Sequence, residues 1–385
     1  MMKVLHYVEN MKQLDLRSDC IKTLIEGEKE YVDIALAKNY TEFVKILAEL
    51  NPDIVHIHSC WDKTTCRCAK IASKKNIPIA LSSYWSLNSF ERKKEQPKAK
   101  LLKSYLYLVP LIKKIDAFVI DDEQEKEVII RKGWSKRIGI IKSSVLNSDI
   151  KAEETAEATI VFYKKIIDSV YQFAMSEQEK DAVKSLLTAG LYKEHYNNPL
   201  PVNQTLSLRS LNNEQWKRIF LYADDEGVRD IIDYSIQRLQ IAAPAIDTQG
   251  ITRFPLLKPK STLTIEEYRG KHSKKLYKKL FKEEDLSCDT MLKDIVIACY
   301  YMKLLYKKRA MSLKHLCDLH ILLKYNDYDE DRLKELLKKA HLYKFTCCMI
   351  KVLQQFTQLE EGFMPLPTLD NRTTRQIDKI FNKRK

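Results

Sequence analysis

The stretch "HIHSCWDKTTCRC" (residues 56–68) gathers side chains that metal sites and nucleophilic enzymes both use. For a metal it offers two imidazoles and three thiols: His56, His58, Cys60, Cys66 and Cys68. Chelating cysteines are usually separated by two residues, and neither interval between these cysteines has that spacing. Cys66 and Cys68 would also point to different sides of a helix. We therefore expect no metal site here.

A thiol nucleophile is the second interpretation, because Cys60 lies two residues after His58 and an imidazole can activate a thiol. The neighbouring residues match no signature of a cysteine enzyme, and such signatures do not transfer between families. The third interpretation is a buried strand, in which alternate residues share one face. His56 and His58 would then lie together at the edge of a sheet, beneath a loop.

The elements around this stretch alternate between two kinds of pattern over residues 1–150. Short apolar runs that predict strands are "KVLHYV", "IVHIH", "IPIALSS", "DAFVID" and "RIGIIKSSV". Between them, "YTEFVKILAELNPD", "DKTTCRCAKIASKKN", "KAKLLKSYLYLVPLIKKI" and "DEQEKEVIIRKG" have helical periodicity. This alternation predicts βαβ units and a mainly parallel, Rossmann-like sheet. Ligands of such sheets bind at the carboxyl ends of the strands.

Residues 151–385 have helical periodicity throughout and no alternating strand pattern, apart from a proline-containing connector at residues 241–264. The predicted fold class is therefore α/β over residues 1–150, followed by an all-α region over 151–385. Only 8 glycines occur in 385 residues, about 2% against an average near 7%. A chain this poor in glycine has little material for phosphate-binding loops, and we expect no second nucleotide-binding fold.

No apolar run is long enough to span a bilayer, and the N-terminus has no signal-peptide pattern. An odd number of cysteines, 9, suits a reducing compartment better than a disulfide framework. We therefore expect a cytoplasmic protein.

Five segments, taken in order, carry a family resemblance: "MKVLHYV", "NPDIVHIHSCWD", "AKIASKKNIPIALSSYWSL", "IDAFVIDDEQEKEVIIRKGW" and "KRIGIIKSSV". Together they resemble the N-terminal half of family 4 glycosyltransferases of the GT-B type. In that family this half faces a sugar acceptor, and a second Rossmann-like half binds a nucleotide-sugar donor.

The sequence departs from the family pattern in four places, one of which is that Ser143 or Ser144 stands where the family has an asparagine. The first loop, "ENMKQLDLRSDC", lacks the family's glycines, and Tyr84 and Trp85 stand where the family has histidine and glycine. A tyrosine does not accept a proton at neutral pH as an imidazole does. Residues 151–385 contain neither the glycine-rich segment nor the paired-glutamate signature of a donor half.

The resemblance implies a glycosyltransferase-like protein of bacterial surface-polysaccharide type with an acceptor-half fold. The departures imply that it has no independent transferase activity. We expect no cofactor, except a nucleotide-sugar donor if the protein is active. Its pocket would lie in the loops that follow the strands. Aromatic rings there would stack on sugar faces, and carboxylates would accept hydrogen bonds from hydroxyl groups. The residues expected to line it are His58, Trp61, Asp62, Tyr84, Trp85 and Glu123.

Two alternatives stay open. The chain could be an active transferase that uses a partner chain, or its own helical region, to bind a nucleotide-sugar donor. It could also be a non-enzymatic interaction or regulatory module that binds a protein partner through residues 151–385.

The basic excess of the chain lies in its last third: 29 basic and 17 acidic side chains in residues 251–385 give +12 of the net +14. One predicted helix there carries Lys271, Lys274, Lys275, Lys278, Lys279 and Lys282. These lysines predict weak, salt-sensitive association with anionic lipids at the inner membrane. Nucleic acid is a less favoured partner, because the chain has no recognisable nucleic-acid-binding motif.

Overall fold

The computed structural model describes residues 1–9, 15–87, 102, 104–192, 200–280 and 290–381, without the side chains of 273–275 and 277–280. The chain divides into two compact units. Unit 1 comprises Met1–Ala174 and Gln249–Pro255, and unit 2 comprises Met175–Thr248 and Leu256–Lys385. Unit 1 extends past the predicted domain boundary at residue 150, because one further helix packs on its sheet.

Unit 1 is built around a six-stranded parallel sheet in the order β2-β1-β3-β4-β5-β6. The strands are β1 Lys3–Tyr7, β2 Asp33–Ala37, β3 Ile54–Ile57, β4 Ile79–Ser82, β5 Ala117–Ile120 and β6 Ile138–Ile140. All six carboxyl ends therefore lie along one edge, where the loops that follow the strands come together.

Helices cover both faces of this sheet. They are α1 Leu16–Glu28, α2 Tyr40–Leu50, α3 Lys63–Lys74, α4 Val109–Ile112, α5 Glu123–Arg131 and α6 Ala152–Ser169. Apolar residues of α2, α3, α4 and α5 share one core with the sheet face of Leu5, Val55 and Leu81. On the opposite face, Tyr163 and other residues of α6 pack against Val4 and Ile54.

The strand register decides where the histidines lie. His6 of β1 pairs directly with His56 of β3. Because alternate residues of a strand share a face, His6, His56 and His58 all lie on the side of α1 and α6. Val55 and Ile57 point to the other side.

The predicted fold class is confirmed: a parallel α/β sheet is followed by a mostly helical region. Two elements of unit 1 were not predicted, namely α1 and β2. β2 is the edge strand next to β1, and only one of its five residues is fully buried. Its short "DIALA" sequence therefore carries a weak strand signal.

The described part of unit 2 contains helices and no strand. These are α7 Glu177–Leu191, α8 Val202–Arg209, α9 Asn213–Glu226, α10 Arg229–Arg238, α11 Ile265–Leu280, α12 Thr290–Lys308, α13 Leu313–Lys324, α14 Glu330–Lys339, α15 Tyr343–Thr357 and α16 Arg372–Phe381. The connector at 241–264 has no regular secondary structure. Within the described residues, no helix combines the length and the apolar character needed to cross a bilayer.

Candidate functional site

Three histidines form a fully buried group beneath α1 and α6 in unit 1. His6, His56 and His58 are each 0% exposed. His6 Nδ1 lies 2.8 Å from His58 Nε2, and the other ring nitrogen of His6 lies 2.9 Å from Glu28 Oε2. His58 Nδ1 in turn lies 2.8 Å from the hydroxyl of Tyr84. A continuous hydrogen-bonded chain thus runs from Glu28 through His6 and His58 to Tyr84.

The tautomers of the histidines decide the direction of these hydrogen bonds. Burial, the two neighbouring imidazoles and the charge of Arg17 lower the pKa of His58 well below its ordinary range. A neutral His58 donates through one ring nitrogen and accepts through the other. The Tyr84 hydroxyl therefore either donates to His58 Nδ1 or accepts from it, according to the tautomer of His58.

His56 extends the same buried group on its other side. Its Nδ1 lies 2.6 Å from the hydroxyl of Tyr163, and its Nε2 lies 2.8 Å from Ser82 Oγ. Burial, followed by the effect of His6, lowers the pKa of His56 well below its ordinary value. The two histidines predicted from the sequence are therefore neutral at physiological pH.

A metal is the obvious alternative, because the three histidines offer ligand atoms within 4.8 Å of one another. A tetrahedral zinc ion with Zn–N distances of about 2.0–2.1 Å would hold its nitrogen ligands about 3.3 Å apart. His6 Nδ1 and His58 Nε2 are closer than that, at 2.8 Å. All six ring nitrogens also have hydrogen-bond partners. We interpret the group as a hydrogen-bonded network rather than a ligand set.

Tyr84 and Trp85 form a strained turn directly after β4. Their φ angles are +46° and +61°, in the left-handed region that bulky residues rarely occupy. Glu125 of α5 fixes the turn: its Oε1 accepts Ser83 Oγ at 2.6 Å and the backbone N–H of Leu87 at 3.3 Å. Strain of this kind persists only where the surroundings enforce it, and it is frequent at functional sites.

The strained turn forms one wall of a recess at the carboxyl ends of β4, β5 and β6. The recess is shallow: its cavity volume is about 50 Å³, within about 460 Å³ of space that includes open solvent. Asp121 follows β5, and its Oδ1 accepts the backbone N–H of Ser143, which follows β6, at 2.6 Å. The lining residues are Cys20, Leu24, Ser82, Tyr84, Trp85, Val119, Ile120, Asp121, Ile141, Ser143, Thr155 and Thr159.

Of the six residues expected to form a pocket, Tyr84 and Trp85 line this recess. Their rings are close, with centroids 6.0 Å apart. His58 does not line the recess and instead supports Tyr84 from behind. Arg17 adds a second support, because its guanidinium donates to the carbonyl of His58 and lies 5.8 Å from the Tyr84 ring.

The other three residues lie elsewhere in unit 1. Trp61 packs against the core on the opposite face of the sheet. Asp62 caps α3: its Oδ1 accepts the backbone N–H of Thr65 at 2.5 Å. Glu123 is exposed and pairs with Lys126 at 3.0 Å. The expectation that all six residues share one pocket is therefore not met.

Asp62 also has an acidic neighbour at the carboxyl end of β1. Burial and the neighbouring Asp62 raise the pKa of Glu9 to about 7. Although burial opposes it, hydrogen bonds from Glu9, Thr65 and Ser59 lower the pKa of Asp62. The oxygens of Asp62 are thus already engaged in capping the helix and in the pair with Glu9.

The cysteines of the opening stretch are not activated. Burial raises the pKa of Cys60 to about 12, and Cys60 is only 1% exposed. Its sulfur lies 3.2 Å from Ser86 Oγ, which makes it part of the core beneath the strained turn. The described cysteines form no disulfide. A thiolate nucleophile at Cys60 is therefore disfavoured.

The lysines expected to face a membrane belong to unit 2. Lys271 is exposed on α11. Lys274, Lys275, Lys278 and Lys279 lie on the same helix, but their side chains are outside the described part, as is the whole of Lys282. Membrane association stays a prediction.

Sequence reasoning did not single out His6, Glu28, Asp121 or Glu125. His6 lies two residues after Val4, on the same face of β1. Pairing β1 with β3 would have placed His6 beside His56. Asp121 is the first residue after β5, whereas the prediction chose Glu123, two positions later. A scan against models of known protein families and a search of curated proteins both find no match for this chain.

Proposed function

We propose that unit 1 is a sugar-binding domain of the glycosyltransferase acceptor type, which holds its ligand in the recess beside Tyr84 and Trp85. The observation that carries this proposal is the pairing of two strained aromatic residues with Asp121 at the carboxyl edge of a parallel sheet. Aromatic rings stack on the apolar faces of sugars, and carboxylate and hydroxyl oxygens bind their hydroxyl groups.

The proposal extends to the type of protein. The order of motifs in residues 1–150 supports a glycosyltransferase-like acceptor half from surface-polysaccharide assembly. The described residues of unit 2 include no strand, so they offer no second sheet to bind a nucleotide-sugar donor. A binding role without independent transferase activity follows from this combination.

A glycan array followed by calorimetry tests the sugar-binding proposal. Trp85→Ala removes the stacking surface and is expected to weaken binding of the selected glycan at least tenfold. Tyr105→Ala is the matched control, because Tyr105 is an 84% exposed aromatic residue of the same unit outside the recess. An array with no bound glycan, or equal affinity for both variants, would refute the proposal.

Nucleotide sugars separate this role from that of an active transferase. A ligand that binds only the folded state raises the melting temperature. We expect no shift with uridine, guanosine or cytidine diphosphate sugars. A reproducible increase with any of them would favour the active enzyme instead.

A further inference from the structure

The recess is rich in hydrogen-bond acceptors whose own protons are already used. Thr155 Oγ1 donates to the Lys142 carbonyl at 3.1 Å, and Thr159 Oγ1 donates to the Thr155 carbonyl at 2.7 Å. The Tyr84 hydroxyl lies 2.8 Å from His58 Nδ1. Each threonine hydroxyl has a single proton, so the two threonine oxygens can only accept from a ligand.

Asp121 adds the one carboxyl group of the lining, and burial raises its pKa. Its Oδ1 accepts the backbone N–H of Ser143, while Oδ2 makes no hydrogen bond within the described residues. No lysine, arginine or histidine is among the residues that line the recess. The exposed Lys142 acts on the Asp121 carboxyl from outside the lining, and Arg17 donates to the His58 carbonyl.

Donors in the recess are few and neutral. Ser143 Oγ accepts the N–H of Val145 at 3.3 Å, and its hydroxyl also makes a hydrogen bond with the Cys20 side chain. The indole N–H of Trp85 is a second donor. Neither carries a positive charge, so neither would compensate the burial of a phosphate or carboxylate beside Asp121.

We propose that the recess selects a hydroxylated ligand that carries an ammonium group, such as an amino sugar, and discriminates against phosphorylated sugars. This inference rests on the proposed sugar-binding function and specifies its ligand class. The ammonium group would donate to Asp121 Oδ2 and to acceptor oxygens beside it, and ring hydroxyls would donate to the remaining acceptors. A charge-assisted hydrogen bond is about twice as strong as a neutral one, which gives the amine its advantage.

Calorimetry with matched sugars tests the inference on the full chain. The probes are the free hexose, the 2-amino sugar, its N-acetyl derivative and the 6-phosphate, each in the gluco, galacto and manno series. In a series that binds, the amino sugar is expected to bind about tenfold more tightly than the hexose. The N-acetyl derivative should lose that advantage, and the 6-phosphate should bind more weakly than the hexose.

Asp121→Asn is the decisive variant, because asparagine keeps the oxygen that accepts the Ser143 N–H but removes the charge. The preference for the amino sugar should fall to less than about twofold, whereas affinity for the neutral hexose should be kept. That retained affinity also reports that the variant is folded. Asp149→Asn makes the same charge change at an exposed position outside the lining and should keep the full preference.

The outcomes separate the two proposals. Equal binding of amino sugar and hexose, tighter binding of the 6-phosphate, or an unchanged preference in Asp121→Asn would each overturn the ligand class while sugar binding stands. If no probe of any series binds, and the glycan array is also empty, the sugar-binding function and the ligand class both fail.

Discussion

Both units of the protein bury histidines and charged side chains, but the two sets end differently. In unit 1 the buried chain from Glu28 through His6 and His58 ends at Tyr84, on the wall of a recess. In unit 2 the described hydrogen-bond partners of the buried His315 and His320 are buried hydroxyls or a backbone carbonyl. Burial of polar groups alone therefore does not mark a functional site; a buried network that reaches an accessible surface is more informative.

Three contacts hold the two buried histidines of unit 2, His315 and His320. His315 Nδ1 meets Ser312 Oγ at 2.6 Å, and its Nε2 meets the Leu263 carbonyl at 3.0 Å. His320 Nδ1 meets Thr357 Oγ1 at 2.9 Å. These partners cap or join neighbouring helices, as expected of polar groups inside a helical bundle.

One ion pair of unit 2 is largely buried. Glu226, 1% exposed, lies 2.8 Å from Lys260 Nζ and accepts the backbone N–H of Leu313 at 2.9 Å. The same Lys260 donates to the Met311 carbonyl at 2.9 Å. The Glu226–Lys260 pair therefore links α9 to the start of α13 and has a structural role.

The largest effect should come from breaking that pair. Lys260→Met leaves Glu226 buried without its cation and should lower the free energy of unfolding of unit 2 by about 4 kcal/mol. Urea denaturation followed by hydrogen exchange in α9 and α13 measures it. Lys314→Met, which removes an exposed pair with Asp230, is the control and should cost less than about 1 kcal/mol. Comparable losses in both variants would show that the buried pair is not structural.

Acid should destabilise unit 2 through His320. Burial, and then the charge of Lys324, lower the pKa of His320 from 6.5 to about 4. Between these values the unfolded chain binds a proton that the folded chain does not, so stability falls as the pH falls below 6.5. The loss is about 1.4 kcal/mol per pH unit, or about 3 kcal/mol by pH 4.

The difference between wild type and His320→Gln isolates this contribution, because His315 and the carboxyl groups are common to both. The free-energy gap between the two proteins should change by about 3 kcal/mol from pH 7 to pH 4. A gap that does not depend on pH would mean that His320 titrates normally in the folded protein.

The fold class followed from the sequence because periodicity is a local property. "IVHIH" and "DAFVID" have enough apolar residues to identify buried strands, and they are strands in the structure. The parity of His56 and His58 also follows from local geometry, and both lie on one face as expected. The weak edge strand β2 was missed because packing on one neighbour, rather than its own pattern, defines it.

The recess could be predicted only in part, because it is a product of tertiary contacts. Tyr84 and Trp85 were identified from the family resemblance, and their left-handed conformation depends on Glu125, 40 residues further along the chain. Asp121 joins the site because β5 and β6 are neighbours in the sheet. Trp61 and Asp62 are separated from Tyr84 because their loop lies toward a different face of the sheet. Periodicity does not determine toward which face a loop turns.

We propose that the buried network of unit 1 supports a binding surface, whereas the buried histidines of unit 2 support only the fold. Calorimetric titration of Tyr84→Phe and Thr357→Val with the glycan selected by the array tests this most directly. Each variant removes one hydroxyl partner of a buried histidine, at a similar cost in stability of about 1 kcal/mol. We predict that Tyr84→Phe loses about tenfold in affinity and that Thr357→Val binds as the wild type does. Wild-type affinity in Tyr84→Phe, or equal losses in both variants, would contradict the claim.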